Sequence, residues 1–220
     1  MARQRDWQTM APTVVLLHGL ARTRHSMRRL KRRLESEGWD TWWTTYASRK
    51  QSIIESAEQV ATLIESDLPN RELFVVTHSM GGIIVRQLAD RFQWRGCVMV
   101  APPNQGSRAA RWAHKLPGLR FLFGPALMEL ACPERWPDPP RPSLIVGGTR
   151  GLAWSSLPYT WILFWAGIFD KGCANDGTLM LDETRHDSVD DHIAIKAGHS
   201  TIMSNPNVID TVVEWLDGHR

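Results

Sequence analysis

Cysteine is scarce. The chain of 220 residues holds three, Cys97, Cys132 and Cys173, an odd number without metal-ligand spacing, which excludes a disulfide framework and points to reduced thiols. Cys97 lies in an apolar run and reads as a small buried hydrophobe rather than a nucleophile. Neither a His-Glu-x-x-His string nor paired cysteines occur, so neither metal nor cofactor is expected. Charge of one sign is also missing. The net charge is +3, too slight a bias for a protein whose main partner is nucleic acid.

Long hydrophobic runs are absent as well. Residues 14–17, the first apolar stretch, are too short for a signal-peptide core and end at His18-Gly19. Residues 1–10 mix Arg3, Arg5 and Asp6 with no apolar stretch behind them. The expectation is a cytoplasmic protein without a secretion signal. Residues 152–169 are rich in tryptophan and phenylalanine, but Ser155, Ser156 and Pro158 interrupt them. The unbroken part falls short of the roughly 20 residues a spanning helix needs. With 43% hydrophobic and 22% charged residues, the composition is that of a folded globular chain, long enough for one well-buried core.

What is present is an alternation of short apolar runs with amphipathic stretches, the pattern of a parallel sheet wrapped in helices. Strands are predicted at 13–18, 41–46, 73–77, 97–101, 143–147 and 192–196. Helices are predicted at 23–37, with Met27, Leu30 and Leu34 inward and Gly38 as the stop, and after Ser52, which has capping-box spacing to Glu55. Further helices are expected at 80–92, near 107–115 and near 121–130. A last one begins at Pro206 behind an Asn205 cap. The fold class is α/β: one domain over 1–220, a mostly parallel sheet of about six strands with helices on both faces. Residues 152–172 form a small aromatic insertion.

Ser79 stands between a strand and a helix, in Thr77-His-Ser-Met-Gly-Gly82. A sharp turn there needs small neighbours, which Gly81 supplies, and it leaves the Met80 N–H free at the positive end of a helix. A serine that only caps the helix is the plainer alternative, but capping alone does not demand the Gly81-Gly82 pair. Eight histidines compete for the role of base. His199 is preferred because it follows the last strand, where reacting groups converge in an open parallel sheet. His186 and His192 are its rivals. His78 is expected to point elsewhere, since neighbouring strand residues alternate sides. His25, His114 and His219 are expected in solvent.

With these residues in view the chain resembles the α/β-hydrolase superfamily, and within it the compact bacterial lipase- and esterase-like members. Thr77 stands where their Gly-x-Ser-x-Gly pattern has its first glycine. The resemblance implies a triad in the chain order serine, acid, histidine. It points to Asp176 in Asn175-Asp-Gly-Thr-Leu179 as the acid, with Asp170, Asp182, Asp190 and Asp191 as alternatives. It also implies a His18-Gly19 loop that offers the Leu20 N–H beside that of Met80 as the oxyanion hole. Pro102-Pro-Asn-Gln-Gly-Ser107 is similar to the loop that shapes the acyl side of such sites.

The implied activity is cleavage of carboxylic esters through an acyl-enzyme, on a small-molecule or lipid substrate. Thioester hydrolysis, acyl transfer and a silent lipid-binding role are the alternatives. His18, Trp154, Trp161 and Trp165 are the candidate substrate contacts, His18 being structural rather than the base. The aromatic insertion is either a lid or acyl wall, with tryptophans able to rest at a lipid boundary, or a packed cover of the core. The basic run Arg28, Arg29, Lys31, Arg32 and Arg33 reads as a solvated helix face, with peripheral attraction to anionic lipid as the other option.

Overall fold

The computed structural model describes residues 11–132, 136–152, 158–170, 172–189 and 191–220. Six strands form one sheet: β1 (Thr13–Leu17), β2 (Asp40–Trp43), β3 (Leu73–His78), β4 (Trp94–Val100), β5 (Ser143–Gly148) and β6 (Asp191–Ile195). Their order is β2-β1-β3-β4-β5-β6, and every neighbouring pair is parallel. The chain steps from β1 outward to β2 and then back across to β3. That reversal opens a crevice at the C-terminal ends of β1 and β3.

The central strands are apolar on both sides, as strands buried beneath two helical layers must be. Val15, Leu17, Val75, Met99 and Ile145 face one core, against α2 (Ile53–Asp67) and α3 (Met80–Gln87). Val14, Leu16, Phe74, Val98 and Val146 face the other, against α1 (Arg28–Ser36) and a C-terminal helix at 206–217. Cys97 lies wholly inside the first core, where burial pushes its thiol far above the usual range. It is the inert hydrophobe expected.

Side-chain caps fix several boundaries. Ser52 and Glu55 form a reciprocal capping box on α2. Asn205 accepts the Asn207 and Val208 N–H groups at the start of the C-terminal helix. Departures from expectation have local causes. Residues 24–27 tighten into a 3-10 turn before α1, while Met27, Leu30 and Leu34 are buried as predicted. β2 stops at Trp43 because Tyr46 leaves the sheet to stack on His18. α3 ends at Gln87 rather than near 92, since β4 starts early and the Trp94 indole N–H closes on the Leu88 carbonyl at 3.1 Å.

Between β4 and β5 run three short helices, α4 (Arg108–His114), α5 (Pro117–Phe123) and α6 (Pro125–Leu130). Gly124, at φ +70°, separates α5 from α6, dividing what the sequence suggests is one helix. After β5 comes α7 (Pro158–Trp165), within the aromatic insertion. The C-terminal helix is α8 (Pro206–Asp217). Among the described residues no helix is long and apolar enough to cross a membrane.

Candidate active site

β3 delivers its chain into α3 through Ser79, whose φ is +52° and ψ −122°. A side chain in that region is strained, and the surroundings hold it there. The Ser79 N–H donates to the Val100 carbonyl at 2.9 Å. α3 passes so close to β1 that a Cβ on Gly81 would lie 2.6 Å from the Leu17 carbonyl oxygen. Gly82 is equally confined, 2.8 Å from Pro102 by the same construction. Both glycines are therefore steric requirements of the turn. Thr77 fits because Gly82 opposite it carries no side chain; its hydroxyl is buried without a hydrogen-bond partner.

His199 lies in the loop after β6, and its Nε2 is 3.1 Å from Ser79 Oγ. Its Nδ1–H donates to Asp176 Oδ2 at 2.6 Å, which fixes the tautomer and leaves Nε2 to accept the serine proton. The Asp176 carboxylate is held in turn. Oδ1 accepts the Thr178 and Leu179 N–H groups at 2.9 and 2.7 Å, within a turn that Gly177 completes at φ +89°. The backbones join too, His199 N–H to the Asp176 carbonyl at 2.8 Å. Space for Asp176 comes from the end of β5, where a Cβ on Gly148 would lie 2.7 Å from Asp176 Cβ.

The remaining carboxylates considered for this place lie elsewhere. Asp170 pairs with Arg108 at 2.5 Å, Asp182 faces Arg185 at 3.5 Å, and Asp191 is exposed at the start of the edge strand β6. Asp190 falls outside the described residues. The rival histidines are also occupied away from Ser79. His186 Nε2 accepts from Arg86 at 3.2 Å, and His192 Nε2 lies 2.8 Å from the Thr184 hydroxyl.

His78 corrects the sequence reading. Strand alternation turns it from Ser79, yet it does not point away from the site. Its ring lies 4.9 Å from that of His199, and its Nε2–H donates to the His199 carbonyl at 3.2 Å. Burial, then the neighbouring His199 and Arg22, hold its pKa well below the ordinary histidine value, so it is a neutral prop for the loop that carries His199.

His18 is a second prop. Its ring is fully enclosed and stacks on Tyr46 at 4.0 Å and 9°. Nδ1–H donates to the Gly19 carbonyl at 2.8 Å, Nε2 accepts the Tyr46 N–H at 3.4 Å, and the Tyr46 hydroxyl donates to the His18 carbonyl. Desolvation lowers its pKa to about 4. With both ring nitrogens engaged inside the protein, His18 holds the loop after β1 and is not free to contact substrate, contrary to its place among the candidate contacts. That loop rests on the serine: a Cβ on Gly19 would lie 3.0 Å from Ser79 Cβ. Leu20 follows directly. The Met80 N–H belongs to the first turn of α3, where no helical carbonyl can accept it.

The aromatic insertion divides among the candidate contacts. Trp154 lies outside the described residues. Trp161 is half-buried on α7, and Trp165 is 80% exposed, too open to solvent to form an enclosed wall. A different side chain of α7 meets the site's loops. The Tyr159 hydroxyl lies 3.0 Å from Thr178 Oγ1 and 2.7 Å from Ser200 Oγ, tying the helix to the segments that bear Asp176 and His199.

Two buried charged residues that no sequence motif marks brace the loop at 102–107. The Arg86 guanidinium donates to Asn104 Oδ1 (3.0 Å) and to the carbonyls of Asn104, Trp136 and Pro137. Desolvation pushes its pKa down to about 10, with Asp138 opposing. Glu183 accepts the Arg108 N–H at 2.6 Å and the Met180 N–H at 2.9 Å; burial raises its pKa. Nothing local marks Arg86 as interior. Its one sequence signal is an arginine interrupting the apolar face of α3.

No family model matches the chain, and no curated protein matches it significantly. Solved structures do. A Bacillus licheniformis lipase in mature form is similar with a TM-score of 0.73 at 18% identity, covering 94% of this chain and 91% of that one. A metagenomic carboxyl esterase gives 0.70 at 16% identity, over 97% of this chain and 77% of its own. A thioesterase of prodiginine biosynthesis from Streptomyces coelicolor, RedJ, gives 0.56 at 13% identity, over 98% and 92%. These likenesses span nearly the whole length, agree with the all-parallel six-stranded order, and establish that this protein has the α/β-hydrolase fold.

Proposed function

We propose that the protein is a serine hydrolase of carboxylic esters, with Ser79 as nucleophile, His199 as base and Asp176 as the acid that orients it. The observation that carries this reading is the unbroken line Ser79 Oγ, His199 Nε2, His199 Nδ1, Asp176 Oδ2, with links of 3.1 and 2.6 Å. His199 takes the Ser79 proton as the hydroxyl attacks the ester carbonyl. The N–H groups of Leu20 and Met80 receive the oxyanion, where one fixed donor typically contributes a factor of roughly 100 to 1000 in rate. His199 then protonates the departing alcohol, and water, activated by the same base, releases the acid from Ser79. Asp176 stabilises the imidazolium in both steps.

Ser79→Ala should abolish hydrolysis of a short-chain chromogenic ester, and a serine-directed phosphonate should label wild type alone. Full activity in the alanine variant overturns the assignment. Likeness to a thioesterase as well as to a lipase and an esterase favours testing acyl thioesters beside oxygen esters of graded chain length. The same three residues serve either leaving group. Faster turnover of the thioester would place sulfur esters first.

A further inference from the structure

Among the described helices α5 is the least buried: none of its residues is buried. Leu119 and Phe123 pack partly against the core and anchor it. The rest of its apolar surface faces outward, with Phe121 92% exposed, Leu122 49% and Leu116 39%. Water gains nothing from such a display, and a seven-residue helix needs little outward hydrophobicity to remain folded. The charges around this tip are of one sign. Residues 108–128 contain no Asp or Glu, while Arg111, Lys115 and Arg120 are exposed there. The exposed pair Arg49-Lys50 adds to them, since the Arg49 backbone lies against Gly124 at the end of α5.

Of the nearby carboxylates, Glu129 accepts the Ile53 N–H at 2.5 Å, while Glu183 caps two backbone donors from inside the protein and faces Arg111 at 3.8 Å. Among the described residues no carboxylate pairs with Lys115, Arg120, Arg49 or Lys50. An exposed apolar helix flanked by Lys115, Arg120, Arg49 and Lys50, none of them paired with a described carboxylate, does not suit the centre of a packed protein contact, which is poor in lysine. It does suit a fluid anionic surface, where short apolar insertion and headgroup attraction, each weak alone, add together.

We propose that α5 docks the protein peripherally on an anionic phospholipid bilayer. Phe121 and Leu122 enter the headgroup boundary, and Lys115, Arg120 and Arg49 meet the lipid phosphates. The position supports a use. α6, which follows α5 directly after Gly124, is joined through Glu129 to the first residue of α2, so these helices lie along the same sheet edge as Ser79. Docking there holds the serine's edge close to the lipid surface.

Docking is separable from chemistry, so the test uses the full chain carrying Ser79→Ala, floated with vesicles of phosphatidylcholine alone or mixed with phosphatidylglycerol. The expected result is flotation with the anionic vesicles only, diminishing as salt rises. Phe121→Ser with Leu122→Ser, and separately Lys115→Glu with Arg120→Glu, should each reduce the bound fraction by about tenfold. All four positions are exposed, and thermal melts of both double variants should match the parent. Failure to float with anionic vesicles overturns the proposal, as does flotation that both double variants leave unchanged. A concentration-dependent dimer that disappears in the Phe121→Ser, Leu122→Ser variant, without vesicle binding, assigns the tip to a second copy and also overturns it.

Discussion

Thr77 shows how one side chain can depart from a family pattern without disturbing the turn it borders. Its hydroxyl is enclosed beside Gly82 and has no partner. A buried donor without an acceptor is unfavourable by about 1–3 kcal/mol, and valine has nearly the same shape. Thr77→Val should therefore retain ester hydrolysis and match or exceed wild-type stability in urea unfolding. A loss of about 1 kcal/mol or more would reveal a hydrogen bond that the structure does not contain. The residues of the site differ in how far the sequence exposes them. Ser79 is marked by its own neighbours, because the glycines that permit its backbone stand within three positions. His78 shows the limit of such reading. Alternation along a strand correctly sets it on the side opposite Ser79, but His199, 121 positions away, returns to meet it there. No local pattern encodes that meeting.

At the scale of elements, the Tyr159 hydroxyl ties α7 to the site, beside Thr160, which packs against the Gly177 turn. Tyr159 reaches Thr178 and Ser200, the neighbours of the Asp176 turn and of His199. Tyr159→Phe keeps the ring and removes both hydrogen bonds, each worth about 1 kcal/mol. The expected outcome is a fall in kcat of about three- to tenfold, with KM for a small ester nearly unchanged, because the loss is of alignment rather than of substrate contact. A raised KM with constant kcat would instead make Tyr159 a substrate contact. Elements with strong local signals are the ones the sequence reveals. α2 and α8 carry their caps at Ser52 and Asn205, and their buried faces follow helical spacing. Boundaries set from outside the element are not visible there. α3 stops where Trp94 returns to its last turn, and the expected helix near 121–130 divides at Gly124 because the Arg49 backbone occupies the space a side chain would need.

For the whole molecule, two histidines sealed in the neutral state make stability depend on acidity. His18 has its pKa lowered from 6.5 to about 4, and His78 is lowered as well. Unfolded, both bind protons near their ordinary value; folded, they do not. The unfolded chain thus binds more protons between the two values, and stability must fall as pH drops from about 6.5 toward 4. The slope is on the order of 1 kcal/mol per pH unit for each histidine. Urea midpoints measured from pH 7.5 to 5 should decline accordingly, with most of the change below 6.5; a flat profile would mean that one or both rings protonate in place. The alternation of strands and helices makes the layered architecture legible in the sequence. The order of strands and the burial of Arg86 are not, since both arise from contacts between distant segments.

The close approach of Gly19 to Ser79, with Gly81 lodged against β1, has a bearing on how the protein could be altered. Bulk introduced at either glycine collides with main chain or with the serine itself, so a designer or natural drift has no room on that side to reshape what is accepted. Latitude lies on α7, where outward side chains such as Trp165 and Phe164 can be exchanged without displacing anything beneath them.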